Sequence, residues 1–402
     1  MIIDQTICNE PKKCTGCRAC AAVCPKGCIT MQKDAEGFYY PVVDNTKCVH
    51  CDLCRKRCPI NQLPTAHNVI EGYAVRYDDT DILLDSTSGG SFTAIAQYIF
   101  AHDGIVYGVG YNEQSVVRHF SITKEEASRI IEMRGSKYVQ SDLGDVFNEI
   151  AKHLKEGRYV CFSGTPCQVA GLRAFLGKEY DTLLTIDLVC HGVASPKVFE
   201  AYLKEQEEKY QTKITGIKFR NKTYGYHSGT MMLELQDRKP VYSSARIDHM
   251  LKSYFTGACS RYSCYVCPFK GMQRYGDLTV FDSWHINELT GQQLEDDCGF
   301  TNVFVNTEKG RVALQEMKHL LKYQVDPELM RKKDGRMIDH YPEMASCRKE
   351  FITGIDENGL SGQVDRYLPI TFKDHVVERL KSFLYSTALL HKVKQLQKRS
   401  RR

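Results

Sequence analysis

Apolar and polar positions along this chain fall into short runs whose period switches between two and about 3.6. Residues 72–77 (GYAVRY) and 104–111 (GIVYGVGY) alternate as strands, and residues 86–101 read as a turn followed by a helix. Ser141 is placed to cap a helix through about residue 156, with Gly157 as its stop. Residues 158–163 then predict a strand, 164–166 a turn, and 167–176 a helix ended by Gly177. An apolar strand over 182–189 follows, broken only by Asp187. Such a strand–helix–strand unit normally closes as a right-handed parallel crossover. Residues 276–282 (GDLTVFD) predict one more strand before the only tryptophan, Trp284, and residues 37–43 (GFYYPVV) a strand near the start. The fold class expected is α+β: a small N-terminal unit, then a mixed α/β body.

Length and composition narrow this further. A chain of 402 residues is too long for one typical domain. With 42% apolar and 26% charged residues it has the make-up of a globular protein rather than a disordered one. No stretch approaches the roughly 18 uninterrupted apolar residues of a membrane helix. The start, MIIDQTICNEPKKC, lacks a basic segment followed by an apolar one, so export is not expected. Neither G-x-G-x-x-G nor G-x-x-x-x-G-K-[ST] occurs, which argues against a Rossmann dinucleotide site and a P-loop.

Cysteine changes the picture. Ten of the 18 cysteines fall in the first 58 residues, eight of them in two matching runs. The first is Cys14, Cys17, Cys20, Cys24 and the second Cys48, Cys51, Cys54, Cys58, each C-x₂-C-x₂-C-x₃-C-P and offset by 34 residues at every cysteine. Structural zinc and disulfides are the competing readings. The spacing is the known pattern of bacterial two-cluster ferredoxins, which residues 1–63 resemble over their whole length. That resemblance implies two 4Fe–4S clusters, each holding three cysteines of one run and the last of the other. Cys14, Cys17, Cys20 and Cys58 would bind one; Cys24, Cys48, Cys51 and Cys54 would bind the other. Cys8 and Cys28 read as small packed residues. So small a core needs its clusters to hold it together. Pro64 and the polar residues 65–68 mark its boundary.

In the body, Cys167 and Cys190 fall just beyond two strands expected to be parallel, the sheet edge where α/β proteins place their chemistry. Cys161 lies inside a strand and reads as core. Farther on come Cys259, Cys264 and Cys267-Pro268; a C-x₂-C in a chain with no export signal points to metal or redox work. Together these sulfurs suffice for a third cluster, with Cys259 in reserve, or for a two-thiol active site without iron. Cys298 and Cys347 have no companions. Ser88-Gly89-Gly90-Ser91 would stand at a helix N-terminus, which favours an anion, although such a turn is commonly an ordinary cap.

GTPCQ (164–168), DLVCHG (187–192), SCYVC (263–267) and GDLTVFDSW (276–284) occur in the order seen in one family. The chain resembles the coenzyme factor-420 hydrogenase/dehydrogenase beta subunits, in the bacterial branch with a fused ferredoxin domain, over about residues 1–350. RGSKYVQS (134–141) and TSGGS (87–91) match that branch too. The resemblance implies an FAD- and iron–sulfur-dependent oxidoreductase, with Cys167, Cys190, Cys264 and Cys267 as third-cluster ligands. It also implies FAD contacts at Ser88, Gly89, Gly90, Ser91, Arg134, Ser136, Lys137 and Tyr138. His191 and Asp282 are candidate proton donors. Relatives of this branch often accompany surface-polysaccharide biosynthesis proteins; the deazaflavin of the family name finds no identifiable pocket in the sequence. The expected domains are 1–63 (ferredoxin), 64–192 (flavoprotein region with the strand–helix–strand unit), 193–372 (flavin and iron–sulfur region) and 373–402 (basic helical tail). Electrons would pass from a ferredoxin-type or reductase donor through the clusters to FAD and an acceptor. The alternative is an electron-transfer subunit docking onto a separate catalytic protein.

Charge concentrates at the end. Residues 373–402 carry nine Lys or Arg against Asp374 and Glu378, a net +7 in a chain of net +5, so the remainder is slightly acidic. Val376, Val377, Leu380, Phe383, Leu384, Thr387, Leu390 and Leu396 recur near helical spacing. This predicts an amphipathic helix that lies on an anionic membrane, with a small-molecule or lipid-linked acceptor to match, or one that packs on its own body through Leu380 and Leu384. The location expected is cytoplasmic, at the inner face of the membrane if the tail binds lipid. Nucleic acid is not an expected partner, because the tail lacks interleaved aromatics.

Overall fold

The computed structural model describes residues 7–386, which form two compact units. Of the described residues, one comprises 7–197 and 260–343, the other 198–259 and 344–386. The grouping interleaves the consecutive segments read from the sequence, because the chain leaves the first unit after Lys197 and returns at Ser260.

The cysteine repeat is visible in the backbone of the first unit. Gly16 and His50, 34 residues apart, both have positive φ (70° and 51°). So do Arg18 and Asp52 (64° and 59°), each the cap of a one-turn helix, Ala19–Ala22 and Leu53–Lys56. Left-handed turns at these points curl three cysteines toward one centre before the helix carries the fourth away. Strands β1 (Ile29–Lys33) and β2 (Tyr39–Val43) pair antiparallel between the runs.

The body of this unit is an eight-stranded sheet. Its strands are β3 (Glu71–Tyr77), β4 (Ile105–Tyr111), β5 (Val117–Ile122), β6 (Val160–Ser163), β7 (Leu183–Leu188), β11 (Leu278–Ser283), β12 (Phe300–Val305) and β13 (Leu320–Val325), in the order β13-β3-β12-β11-β7-β6-β4-β5. The central run β4, β6, β7, β11 is parallel and the flanking pairs are antiparallel. Alternation sorts the two cores: Val160 and Phe162 face one side of β6, and Cys161 faces the other, fully buried. Helices α1 (Ser91–Ala101) and α5 (Glu308–Glu316) cover one face. Helices α2 (Val146–Lys155) and α3 (Pro166–Leu176) cover the other, joined there by Cys17 and Ala19.

The predicted crossover is present: β6, α3 and β7 form a parallel unit with boundaries within two residues of expectation. The helix expected from Ser141 begins only at Val146. Ser141 instead accepts a hydrogen bond from Gln168 Nε2 (2.9 Å), a tertiary partner that a capping pattern does not reveal.

The second unit holds a three-stranded antiparallel sheet, β8 (Ile214–Asn221), β9 (Thr230–Leu235) and β10 (Arg238–Ser244), with helices α4 (Pro196–Tyr210), α6 (Ile355–Tyr367) and α7 (Phe372–Ser386). Buried Asp248 caps a neighbouring helix and accepts from Tyr202 Oη at 2.7 Å. Among the described residues no helix is long and apolar enough to cross a membrane. The predicted tail is helical as far as Ser386; residues 387–402 lie outside the described residues.

Candidate metal centre

Cys14, Cys17, Cys20 and Cys58 line one cavity, so the last cysteine of the second run stands with the first three of the first. Cys24, Cys48 and Cys54 pack against one small core that includes Cys28, and the Cys54 thiol feels the charges of Cys51 and Cys24. Cys51 is exposed, the outermost of the eight. Backbone N–H groups two residues along point at the sulfurs: Gly16 at Cys14, Ala19 at Cys17, Ile60 at Cys58. Burial nevertheless pushes the Cys17 thiol up to about 12 and Cys20 well above its ordinary value. Clustered buried thiols of this kind are costly as free thiolates and are deprotonated outright by a metal.

Cys8 and Cys28 are buried as expected, but each also touches a repeat cysteine. Cys28 Sγ lies 3.3 Å from Cys24 Sγ. Cys8 hydrogen-bonds to Cys58 and pulls that thiol down. Sequence reasoning missed this pairing, since neither spacing belongs to the repeat.

A third sulfur group forms at the carboxyl end of the parallel strands. In GTPCQ, Thr165 is the N-cap of α3, Pro166 its first residue, and Gln168 closes a capping box. That lock holds Cys167 in the first turn, with Thr165 Oγ1 3.1 Å from its sulfur. Cys190 follows β7, and Cys264 and Cys267 come from the turn around Tyr262–Val266. All four line one cavity, and burial followed by the Cys267 charge drives Cys167 far up. Burial likewise raises Cys264 to about 12 and Cys267 to about 11. Arg261, Lys270 and Arg274 complete the wall. Four thiols ringed by three cations fit an anionic iron–sulfur cube. Cys259 is buried in the second unit and does not line this cavity. Cys298 and Cys347, half-buried, are likewise absent from the lining.

Asp187, the polar break in an apolar strand, explains DLVCHG. It is fully buried and pairs with buried Arg274 at 2.9 Å. It also accepts from Thr279 Oγ1 (2.6 Å) and from the N–H groups of Tyr275 and Gly276. The strand that delivers Cys190 is thereby pinned to the segment that follows Cys267. Lys270 Nζ adds a bond to the Cys190 carbonyl at 2.7 Å.

His191 lines the same cavity, where burial, then the charges of Lys270 and Arg336, lower its pKa to about 4. A neutral imidazole is a poor acid at neutral pH, although an anion in the cavity would move it back up. Asp282 sits half-buried on β11.

The two stretches assigned to a flavin come together. Ser136 N donates to Thr87 Oγ1 (2.9 Å), and Arg134 pairs with Asp85 (3.2 Å) and donates to Thr93. Gly90 caps α1 with φ +78°, and Ser91 begins the helix. Gly89 serves the fold: a Cβ there would meet the Val75 carbonyl at 2.3 Å. Ser88 bonds Thr301 Oγ1, and Lys137 Nζ donates to the carbonyls of Glu132 and Arg134. Tyr138 carries the backbone carbonyl that accepts from Ala194. The start of α1 and the 134–138 loop thus lie against each other, with Arg134 engaged by Asp85 and Thr93 and Lys137 by backbone carbonyls.

Comparison with known proteins bears on this arrangement. Residues 157–328 match the family model for the C terminus of the coenzyme F420 hydrogenase/dehydrogenase beta subunit, and residues 13–61 match a 4Fe–4S dicluster domain. An F420H2 dehydrogenase subunit of Methanosarcina mazei is 24% identical over 210 residues, 48% of this chain and 58% of that protein. These matches support the F420 hydrogenase/dehydrogenase beta-subunit family for residues 157–328. An uncharacterized ferredoxin of Methanocaldococcus jannaschii is 44% identical over 54 residues, 13% of this chain and 69% of that one. A chain of the F420-reducing [NiFe] hydrogenase complex from Methanosarcina barkeri aligns at TM-score 0.44 and 16% identity, covering 68% of this chain and 90% of its own. With its dicluster ferredoxin domain beside this F420-type region, the chain is an iron–sulfur electron-transfer protein.

Proposed function

We propose that this chain works as an electron-transfer subunit with three 4Fe–4S clusters, serving a separate catalytic partner rather than completing a reaction alone. The observation that carries it is the gathering of twelve cysteines into three sulfur groups in one compact unit. A curated relative named as a dehydrogenase subunit supports the same reading. Cysteine-ligated cubes carry one electron at a time, with potentials set by N–H···S bonds and exposure. The residues of this chain would exclude water from the third site, hold it with Arg261, Lys270 and Arg274, and shield it behind the Asp187–Arg274 pair.

FAD belongs to this proposal at the start of α1 and the 134–138 loop, where the mutual hydrogen bonds of the two stretches support a shared site. A bound flavin would supply exchange between one- and two-electron chemistry. The tail is proposed to meet an anionic membrane surface, which the exposure of Phe372, Val376 and Leu380 (54%) along α7 supports.

Anaerobic purification with iron, sulfide and flavin analysis tests the cofactor set. Twelve irons and one flavin per chain are expected; about eight irons would remove the third cluster. Dithionite-reduced protein offered small-molecule acceptors should turn over only when a partner protein is added. Sustained turnover alone would return the chain to the class of self-contained oxidoreductases.

A further inference from the structure

The three sulfur groups are not equally connected. Thr15 lines both the Cys14/Cys17/Cys20/Cys58 cavity and the Cys167/Cys190/Cys264/Cys267 cavity. Cys17 rests on α3 at Gly171, one helical turn beyond Cys167: a Cβ on Gly171 would meet Cys17 Cβ at 2.8 Å and Sγ at 3.0 Å. Arg261, 1% exposed, lies where these walls join. Its Nε donates to the Cys14 carbonyl (2.9 Å) and its Nη1 to Gln140 Oε1 (3.3 Å). Its guanidinium stacks 3.9 Å from the centroid of Tyr40. Gly16, at φ +70°, leaves room for Gln140 and Arg261 to approach; a Cβ there would meet Gln140 Nε2 at 2.6 Å and Arg261 Nη1 at 3.3 Å. Nothing comparable joins the exposed Cys51 group to the third cavity among the described residues.

We propose that the cluster on Cys14, Cys17, Cys20 and Cys58 is the one that exchanges electrons with the third cluster, and that Arg261 is the positioning residue setting the potentials of both. The cluster on Cys24, Cys48, Cys51 and Cys54 is then the outer centre, reached first by an external one-electron donor. In the internal step one electron leaves the reduced inner cluster, which is oxidised, and arrives on the third, which is reduced; no bond is made or broken. A buried guanidinium shared by two anionic centres favours the reduced form of each, because reduction adds negative charge beside a fixed positive one. A carboxyl-end sheet cavity alone would give Arg261 no reason to bond Cys14; its contacts on both sides give it one.

This inference rests on the three-cluster reading, and the experiment separates the two. Full-length protein purified anaerobically is compared with Arg261→Met and Arg261→Lys by iron analysis and by EPR-monitored titration with dithionite. In Arg261→Met the reduced-to-oxidised ratio at fixed potential should fall about tenfold for two of the three clusters, a shift of about 59 mV for a one-electron couple. The cluster lost in Cys51→Ala should be the one left unmoved. Arg261→Lys should restore most of the shift, as a merely structural role would not require. Twelve irons with an equal shift of all three clusters, or with none, overturns the inference alone. Eight irons in the unaltered protein overturns the three-cluster reading and the inference with it. If Arg261→Met loses iron, Thr15→Val decides: it should slow third-cluster reduction by dithionite at least severalfold without changing outer-cluster reduction, and unchanged kinetics overturn the proposal.

Discussion

Asp187 and Arg274 illustrate how one buried pair organises a site. Each is nearly inaccessible, and every carboxylate oxygen of Asp187 accepts at least one hydrogen bond. Removing one member of such a pair leaves the other charged and unpaired, which costs about 3–5 kcal/mol. Asp187→Ala should therefore lower unfolding stability by that order and release third-site iron while the eight repeat cysteines keep theirs. Chemical denaturation and iron analysis would show both. The aspartate was legible as an intrusion in an apolar strand. Its arginine, 87 residues later, was not, because ion-pair partners are chosen by tertiary approach. His119 tells a similar story on β5. It is 1% exposed, donates toward the Ser163 carbonyl, and is held neutral by burial with its pKa near 4. The unfolded chain binds this proton from about pH 6.5 downward, so stability should fall as pH drops from about 6.5 to 4, by at most about 3 kcal/mol. Above that window the contribution is complete. In thermal melts, His119→Gln should flatten this slope relative to the unaltered protein.

At the scale of elements, α3 does two tasks with one face. Its capped first turn fixes Cys167, and Gly171 a turn later receives Cys17. Glycine inside a helix usually costs about 1 kcal/mol against alanine, so Gly171→Ala would stabilise an isolated helix. Here the new methyl meets Cys17 Cβ and Sγ, and the variant should instead be less stable and lose iron from the N-terminal repeat. A gain in melting temperature with full iron would mean that Cys17 gives way. The crossover and the repeat were readable because strand alternation, Gly177 and the 34-residue offset are local signals. The late start of α2 was not, since Ser141 bonds Gln168 rather than its own helix. The Thr15–Arg261 junction was equally hidden; it joins residues 246 positions apart.

For the whole molecule, exposed apolar residues gather on α7, while most of the tail's basic residues follow it in the sequence. Within the second unit this helix is tied by Glu378, which accepts from Ser244 N, and by Tyr385 packing edge-on against Tyr224. Phe372, Val376, Val377 and Leu380 along it are exposed. A truncation after residue 372 should stay folded and retain its iron, yet stop co-sedimenting with vesicles rich in anionic lipid, each lost Lys or Arg near the surface removing about 1 kcal/mol. Equal sedimentation at low salt would remove the membrane reading. The stripe was visible in the sequence, but whether Leu380 packs inward was not, because a helical period marks an apolar face without saying what covers it.

The excursion of residues 198–259 has a consequence for how the protein is made. Cys190 precedes it and Cys264 and Cys267 follow, while Ala194 bridges Ser260 at its base. The repeat has all eight sulfurs once Cys58 emerges from the ribosome, but the third set is incomplete until Cys267. At about 5–20 residues per second, the two events are separated by roughly 10–40 s. On the three-cluster proposal, maturation would be ordered in time: the N-terminal pair could be loaded on a nascent chain, whereas the last insertion would wait until the intervening unit has been synthesised.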